Sequence, residues 1–149
     1  MNKKLNAALV AAAMVAALAG CQTMDKMGAA MTGGGGEKVT LTGSNEVPPV
    51  QTAASATGTV SVGSDKMVKV DIKVSGMTPT AAHIHEGAAG ANGPVVVPLV
   101  KKGDNEFVAA EGAKLTDAQY DAYKAGKTYV NVHSEAHKGG EIRAQLKGQ

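Results

Sequence analysis

Three of the four histidines lie in segments with the sequence pattern of β-strands. His83 and His85 flank the apolar Ile84, and His133 follows an alternating segment that begins at Thr128. Because alternate residues of a strand point to the same side of a sheet, the imidazoles of His83 and His85 share one face. Their nitrogens are then close enough for one metal ion to bridge, so the pair is a candidate chelating site.

The apolar neighbours of these histidines indicate which face each imidazole occupies. Ile84, Val130 and Val132 should point into the core, so the three histidines are expected on the outer, non-core surface of their strands. If the two strands are neighbours, three imidazoles converge there. Neutral imidazoles without a thiolate partner suit Cu(II) or Zn(II) better than Mg²⁺ or Ca²⁺. The alternative is that the histidines are solvated polar residues that bind nothing.

A metal site built from His83, His85 and His133 leaves a fourth ligand open. His137 and Glu135 are the two candidates, because both follow His133 closely in a segment that ends at a pair of glycines. The sequence therefore predicts a three-histidine site for copper or zinc, with one further ligand undecided.

Arg143 is expected to point outward from the last strand of the domain. In that position it could guide an anion to the metal, or form an ordinary ion pair with Glu141 or Glu86. No serine stands on a Gly-X-Ser-X-Gly turn, and no acid–base pair can be picked out of the scattered carboxylates. No catalytic residue is therefore predicted.

The first twenty residues have the layout of an export signal. Lys3 and Lys4 precede an apolar run, Leu5 to Leu18, that would barely span a bilayer as a permanent helix. The run ends in Leu-Ala-Gly-Cys at residues 18–21, which resembles the lipobox of bacterial lipoproteins. That resemblance implies cleavage before Cys21 and lipidation at this residue. The alternative is an ordinary secretory signal with an incidental cysteine.

Residues 21–37 are expected to form a lipidated flexible linker, because the four glycines at positions 33–36 are as flexible as a chain can be. Several acyl chains would hold the protein on a membrane almost irreversibly. The residue after the cysteine is Gln22. In this the sequence is similar to outer-membrane lipoproteins of Gram-negative bacteria, whereas Asp at that position would favour retention in the inner membrane. The predicted location is the outer membrane, facing the periplasm or the cell surface.

The amino-acid composition excludes several kinds of partner and site. The 149 residues carry 15 Lys and Arg against 13 Asp and Glu, and only 3% of them are aromatic. Since there is neither a basic stripe nor a stacking platform, nucleic acid is not expected as a partner. One cysteine excludes an internal disulfide and a cysteine-rich metal site. We expect a monomer, and the sequence leaves any protein partner unknown.

From residue 38 to residue 148 the dominant period is two, which predicts one β-domain. Residues 68–75 alternate between apolar and mostly charged side chains, as in a strand with one buried face. Further strand segments bring the number to about seven, and the proline-bounded residues 95–97 should form a short or edge strand. A threonine cap and a terminal glycine predict one short helix over residues 116–126. These elements favour an immunoglobulin-like Greek-key β-sandwich.

The domain resembles the CHRD family, which was first named in chordin. The matching segments are residues 41–50 (LTGSNEVPPV), 82–87 (AHIHEG), 92–97 (NGPVVV), 125–133 (AGKTYVNVH) and 140–146 (GEIRAQL). They occur in the family's order over nearly all of the predicted domain. Ala144 departs from the glycine that the family often has there. The resemblance implies an all-β domain whose biochemistry is poorly defined.

A looser resemblance is to copper–zinc superoxide dismutase. That family also has a His-X-His strand, a third copper-binding histidine on a later strand and an arginine beside the metal. His83, His85, His133 and Arg143 occur in the same order here. A clear bridging histidine, a zinc-loop cluster and a disulfide pair are missing from the sequence. The resemblance therefore implies at most a copper site without zinc.

Three functions are consistent with these features. The first is a membrane-anchored envelope lipoprotein whose domain is a binding module, holding copper or zinc through the three histidines. The second is a structural or protein-interaction domain without a metal. The third is a copper-only enzyme similar to superoxide dismutase, with Arg143 drawing in superoxide, and this enzyme function is the least expected.

Overall fold

Eight strands and one short helix make up the part of the chain that the computed structural model describes, residues 35–149. The elements are β1 Glu37–Thr42, a 3-10 turn at Gly43–Asn45, β2 Ser55–Val62, β3 Val68–Ser75, β4 Ala81–Glu86, β5 Val95–Gly103, β6 Glu106–Ala109, α1 Asp117–Lys124, β7 Thr128–His133 and β8 Ile142–Leu146. The predicted signal peptide, Cys21 and most of the predicted linker lie outside the described residues. Within residues 35–149 no helix has the length and apolar character needed to cross a bilayer.

All the strands pair antiparallel, in the order β1-β2-β3-β6-β5-β4-β7-β8, and close into a barrel. The meander β4-β5-β6 is followed by β7, which returns to lie beside β4, so the Greek-key connection is present. The all-β class with one short helix is confirmed. The immunoglobulin-like sandwich is not, because β1 pairs with β8 as well as with β2, and the sheet therefore has no open edge.

The seam between β1 and β8 is held by both backbone and side-chain contacts. Thr42 pairs with Arg143 in the β-ladder. At the other end of β1, the buried carboxylate of Glu37 accepts the backbone N–H of Lys147 with both oxygens, at 3.0 and 2.9 Å. These contacts join residues about a hundred positions apart, which a local sequence pattern cannot indicate.

The barrel interior is filled by the apolar half of each alternating strand. In β3, Val68, Val70, Ile72 and Val74 are buried while the residues between them are exposed, as the period of two predicts. Side chains of Ile84, Val130, Val132 and Ile142 join the same apolar cluster. The strand faces that carry the histidines are therefore directed away from this core.

The helix α1 connects β6 to β7 and begins at the predicted cap. Thr116 accepts the N–H of Gln119 with its side chain at 3.2 Å, and the Gln119 side chain accepts the N–H of Thr116 at 2.9 Å. This reciprocal capping satisfies two donors that a helix start leaves unpaired. Gly126, with φ of +69°, follows the helix and turns the chain into β7.

Two strand predictions need correction. β5 is nine residues long and lies between β4 and β6, so it is neither short nor at an edge. Its pairing with β4 shifts register between Ile84 and His85, opposite the segment that lies between Pro94 and Pro98. Such an irregularity allows proline inside a sheet. The four-residue strand β6 was not predicted at all.

Candidate metal centre

The barrel brings the two histidine-bearing strands into direct contact. β4 and β7 are antiparallel neighbours, with Ala81 opposite His133 and His83 opposite Asn131. Because the ladder fixes the register, His133 on β7 lies diagonally beside His83 on β4. Apolar partners such as Ile84 and Val130 face the core from the same pair of strands. The predicted convergence on the non-core face is therefore present.

These histidines are more buried than the sequence suggested. His85 is 8% exposed and His133 is 9% exposed, while His83 is partly exposed. The outer face of β4 and β7 is covered by the loops that follow these strands, which reach back over it. The side of the sheet was predicted correctly from parity, but its description as an open surface was wrong, because sequence periodicity says nothing about loops that fold across a strand.

Backbone carbonyls of these loops fix two of the imidazoles. His85 Nδ1 lies 2.9 Å from the carbonyl oxygen of Gly93, and His133 Nδ1 lies 2.9 Å from that of Lys138. A carbonyl can only accept, so each Nδ1 carries the proton and donates it. In the neutral rings each Nε2 then carries a lone pair rather than a proton, which is the form of histidine that binds metal ions.

The third imidazole is bound less firmly. His83 Nδ1 lies 2.9 Å from His133 Nε2, and since that nitrogen has the lone pair, His83 donates. Neither ring nitrogen of His83 has a backbone partner among the residues that the structure describes. His83 is therefore the member of the trio that is free to rotate or change tautomer when a ligand enters.

The three rings form a compact group. Ring centroids are 4.8 Å apart for His83 and His133, 5.6 Å for His83 and His85, and 6.2 Å for His85 and His133. One nitrogen from each ring can be chosen so that all three lie within 4.8 Å of one another. Two nitrogens bound to one zinc ion can be at most about 4.2 Å apart. A separation of up to 4.8 Å exceeds that limit, so the rings must move closer together for all three to bind one ion.

Burial favours the neutral form of His83 and of His133. Desolvation lowers the pKa of His83, and positive charge on His133 or His85 would lower it further. Desolvation also lowers the pKa of His133, more than its hydrogen bond to the Lys138 carbonyl raises it. Two of the three rings therefore resist protonation, which competes with metal binding.

A comparison with protein-family models identifies the family of this domain. The family model described as "CHRD domain" matches residues 38–146. The chain belongs to the CHRD family. Searches of the curated proteins and of the solved structures found no match. The similarity to lipoproteins and that to copper–zinc superoxide dismutase both stay predictions.

The two candidates for a fourth ligand lie outside the histidine group of the CHRD domain. Glu135 is exposed and lies 3.7 Å from the ammonium of Lys138. His137 lines a separate pocket of about 240 Å³ on the same loop, together with Glu46 and Gly140. Neither residue joins the three-histidine group.

Arg143 lies on β8, next to β7 on the same outer side, but it is 1% exposed rather than on the surface. Its guanidinium donates to three backbone or side-chain oxygens of the loop after β4. None of the ion pairs among residues 35–149 includes Arg143, so neither Glu141 nor Glu86 is its partner. The guanidinium is engaged within the CHRD domain, and its role as an anion guide stays a prediction.

Sequence reasoning missed the backbone contributions to the site. The carbonyls of Gly93 and Lys138 carry no side-chain signal, and only the path of the two loops places them against the histidines. Glu46, which lines the separate pocket with His137, was not singled out from the sequence either. It is 4% exposed, burial raises its pKa, and its Oε1 has no hydrogen-bond partner among the described residues.

Proposed function

We propose that this chain is a membrane-anchored envelope lipoprotein whose CHRD domain binds one copper or zinc ion through His83, His85 and His133. The observation that carries the proposal is the arrangement of the three rings, whose ligand atoms lie within 4.8 Å of one another. Two of the rings are also held by carbonyls in the tautomer that leaves Nε2 available.

A buried lone pair without a partner favours a ligand over a merely structural role. His85 Nε2 is shielded from solvent and has no hydrogen-bond partner among residues 35–149. Leaving such an atom unsatisfied costs about 1–3 kcal/mol. A metal ion at this position would satisfy it, and would replace the His83 Nδ1 proton as the partner of His133 Nε2.

The donor set limits the choice of metal. Three neutral imidazoles suit Cu(II) and Zn(II), and for a given set of nitrogen ligands Cu(II) binds more tightly than Zn(II). Three protein ligands leave at least one coordination position for water or another small ligand. The partly exposed His83 is the side from which an ion would enter.

Metal titration tests this proposal. The full chain carrying Cys21→Ser, which removes the only thiol in the sequence, should bind one equivalent of Cu(II), and Cu(II) should displace Zn(II). The measurement is isothermal titration calorimetry, with metal content determined after dialysis. If neither ion binds at stoichiometric concentrations, the alternative of a structural or protein-interaction domain without a metal is favoured.

We propose binding rather than catalysis. A dismutase-like enzyme needs a cationic group that draws the anion to the copper, and Arg143 is the residue that the sequence offered for this. Its guanidinium is buried, and both of its terminal nitrogens donate to oxygens of the loop after β4. If copper binds, a superoxide-consumption assay decides between the two functions.

The membrane half of the proposal depends on Cys21. In cells, the Cys21→Ser variant should lose incorporation of labelled palmitate and move from the membrane fraction to the soluble or unprocessed fraction, because the anchor is attached at this residue. A Ser61→Ala variant, changed at a distant strand position, is the control. Palmitate labelling that persists in Cys21→Ser would contradict the lipoprotein assignment.

A further inference from the structure

Arg143 is the only arginine in the sequence, and it is buried. A buried guanidinium is strongly destabilising unless its donors are paired. Arg143 has no carboxylate within ion-pair distance in the described part of the chain, so oxygens of other groups must serve. The groups that carry those oxygens indicate the role of Arg143.

The guanidinium holds the loop between β4 and β5. One terminal nitrogen of Arg143 donates to the carbonyls of Ala88 and Ala91, at 3.2 and 2.9 Å, and the other donates to the side-chain oxygen of Asn92 at 3.2 Å. The N–H of Ala91 donates to the carbonyl of Ala88 at 3.0 Å, which closes a turn at the loop tip. Arg143 therefore caps this turn from the barrel side.

The same guanidinium supports a stack of rings that ends at the metal centre. The Cζ of Arg143 lies 3.4 Å from the ring centroid of Tyr129. The Tyr129 ring is stacked on His85, with centroids 4.9 Å apart and planes 3° from parallel. Because β7 lies between β4 and β8, Tyr129 has the imidazole on one side and the guanidinium on the other.

The loop and the stack meet at Gly93. Its N–H donates to the hydroxyl of Tyr129 at 3.2 Å, and its carbonyl accepts the Nδ1 proton of His85 at 2.9 Å. A Cβ added at Gly93 would lie 1.6 Å from the carbonyl oxygen of Glu86, so only glycine fits this path. The position of the Gly93 carbonyl thus depends on both the loop and Tyr129.

We infer that Arg143 is a positioning residue of the metal centre. By holding the loop and backing Tyr129, it fixes the Gly93 carbonyl, which keeps the proton of His85 on Nδ1 and presents Nε2 to the ion. The inference rests on the proposed function for the identity of the ligand, but the positioning itself can be measured without a metal.

The first test follows the His85 imidazole in the metal-free full chain by ¹⁵N NMR. With Arg143 in place, His85 should show a single tautomer protonated at Nδ1. In Arg143→Gln the loop loses its donors, so His85 should exchange between both tautomers. Lys147→Gln, which removes a positive charge from an exposed residue just beyond β8, is the matched control and should leave the His85 signals unchanged.

The second test measures Cu(II) affinity in the same variants. Loss of a group that orients a metal ligand typically weakens binding by about 10–100-fold, and we expect a loss of that size in Arg143→Gln. Lys147→Gln should bind as tightly as the parent chain. If the His85 tautomer changes but the parent chain binds no copper, the positioning role stands and the proposed function fails.

Two milder variants keep the inference falsifiable if Arg143→Gln does not fold. Asn92→Ala removes one acceptor of Arg143 and a hydrogen bond to the Val47 carbonyl, at an exposed position, and Tyr129→Phe removes only the hydroxyl that accepts from Gly93. Circular dichroism and thermal melting identify which variants are folded. A His85 tautomer that matches the parent chain in folded Arg143→Gln overturns the inference, and so does an unchanged copper affinity where the parent chain binds copper. If Arg143→Gln is unfolded, a match to the parent chain in both Asn92→Ala and Tyr129→Phe overturns the inference.

Discussion

Replacing His85 with alanine should weaken Cu(II) binding by more than about 100-fold, beyond the range seen when only a supporting partner of a ligand is lost. His85 supplies a buried Nε2 with no protein partner among the described residues, and its ring is fixed by the Gly93 carbonyl. His83 and His133 alone would leave an ion with two protein ligands. Isothermal titration calorimetry with the Cys21→Ser chain measures the change.

The barrel should remain folded in the His85→Ala variant. The imidazole points away from the core, so its removal opens no cavity inside the barrel. The variant loses one hydrogen bond, worth about 1 kcal/mol, and the stacking on Tyr129, and it also removes the unsatisfied Nε2. His137→Ala, changed at a histidine outside the cluster, is the matched control. Equal copper affinity in the two variants would contradict the proposed ligand set.

Replacing Phe107 with alanine should destabilise the domain by about 3–5 kcal/mol, the usual effect of truncating a buried phenylalanine. Phe107 is the only phenylalanine in the sequence and is 1% exposed. It lies in β6, the four-residue strand that joins β3 to β5 and so completes the barrel wall. Denaturant unfolding followed by circular dichroism measures the free energy of unfolding.

Val100→Ala is the control for the Phe107 variant. Val100 lies in the neighbouring strand β5, opposite Val108 of β6, and is 48% exposed. Its truncation should therefore change the free energy of unfolding by about 0.5 kcal/mol or less. If Phe107→Ala is no less stable than Val100→Ala, Phe107 does not fill the core as the structure places it.

The direction of the side chains could be predicted from the sequence because it is a local property. In β4 and β7, an alternation of two residues fixes which side chains face the core, and this was enough to place Ile84, Val130 and Val132 inside. The same reasoning placed His83 and His85 together on the opposite face. Helix α1 was also predictable, since its cap and its final glycine are adjacent to it in sequence.

The features that were not predicted depend on residues far apart in the chain. Closure of the barrel requires Thr42 to pair with Arg143, and no local pattern distinguishes this from a sandwich with open edges. β6 is too short for its alternation to stand out, and its strand character comes from pairing with β3 and β5. Burial of His85 and His133 follows from loops that cross the strands.

The most direct test of the metal centre is the X-ray absorption spectrum of the copper-loaded full chain carrying Cys21→Ser. We expect three nitrogen neighbours at about 2.0 Å, with the outer-shell scattering of imidazole rings, and one fewer imidazole in the His85→Ala variant wherever copper can still be loaded. A spectrum with oxygen neighbours alone, or one that is the same with and without His85, would contradict this prediction.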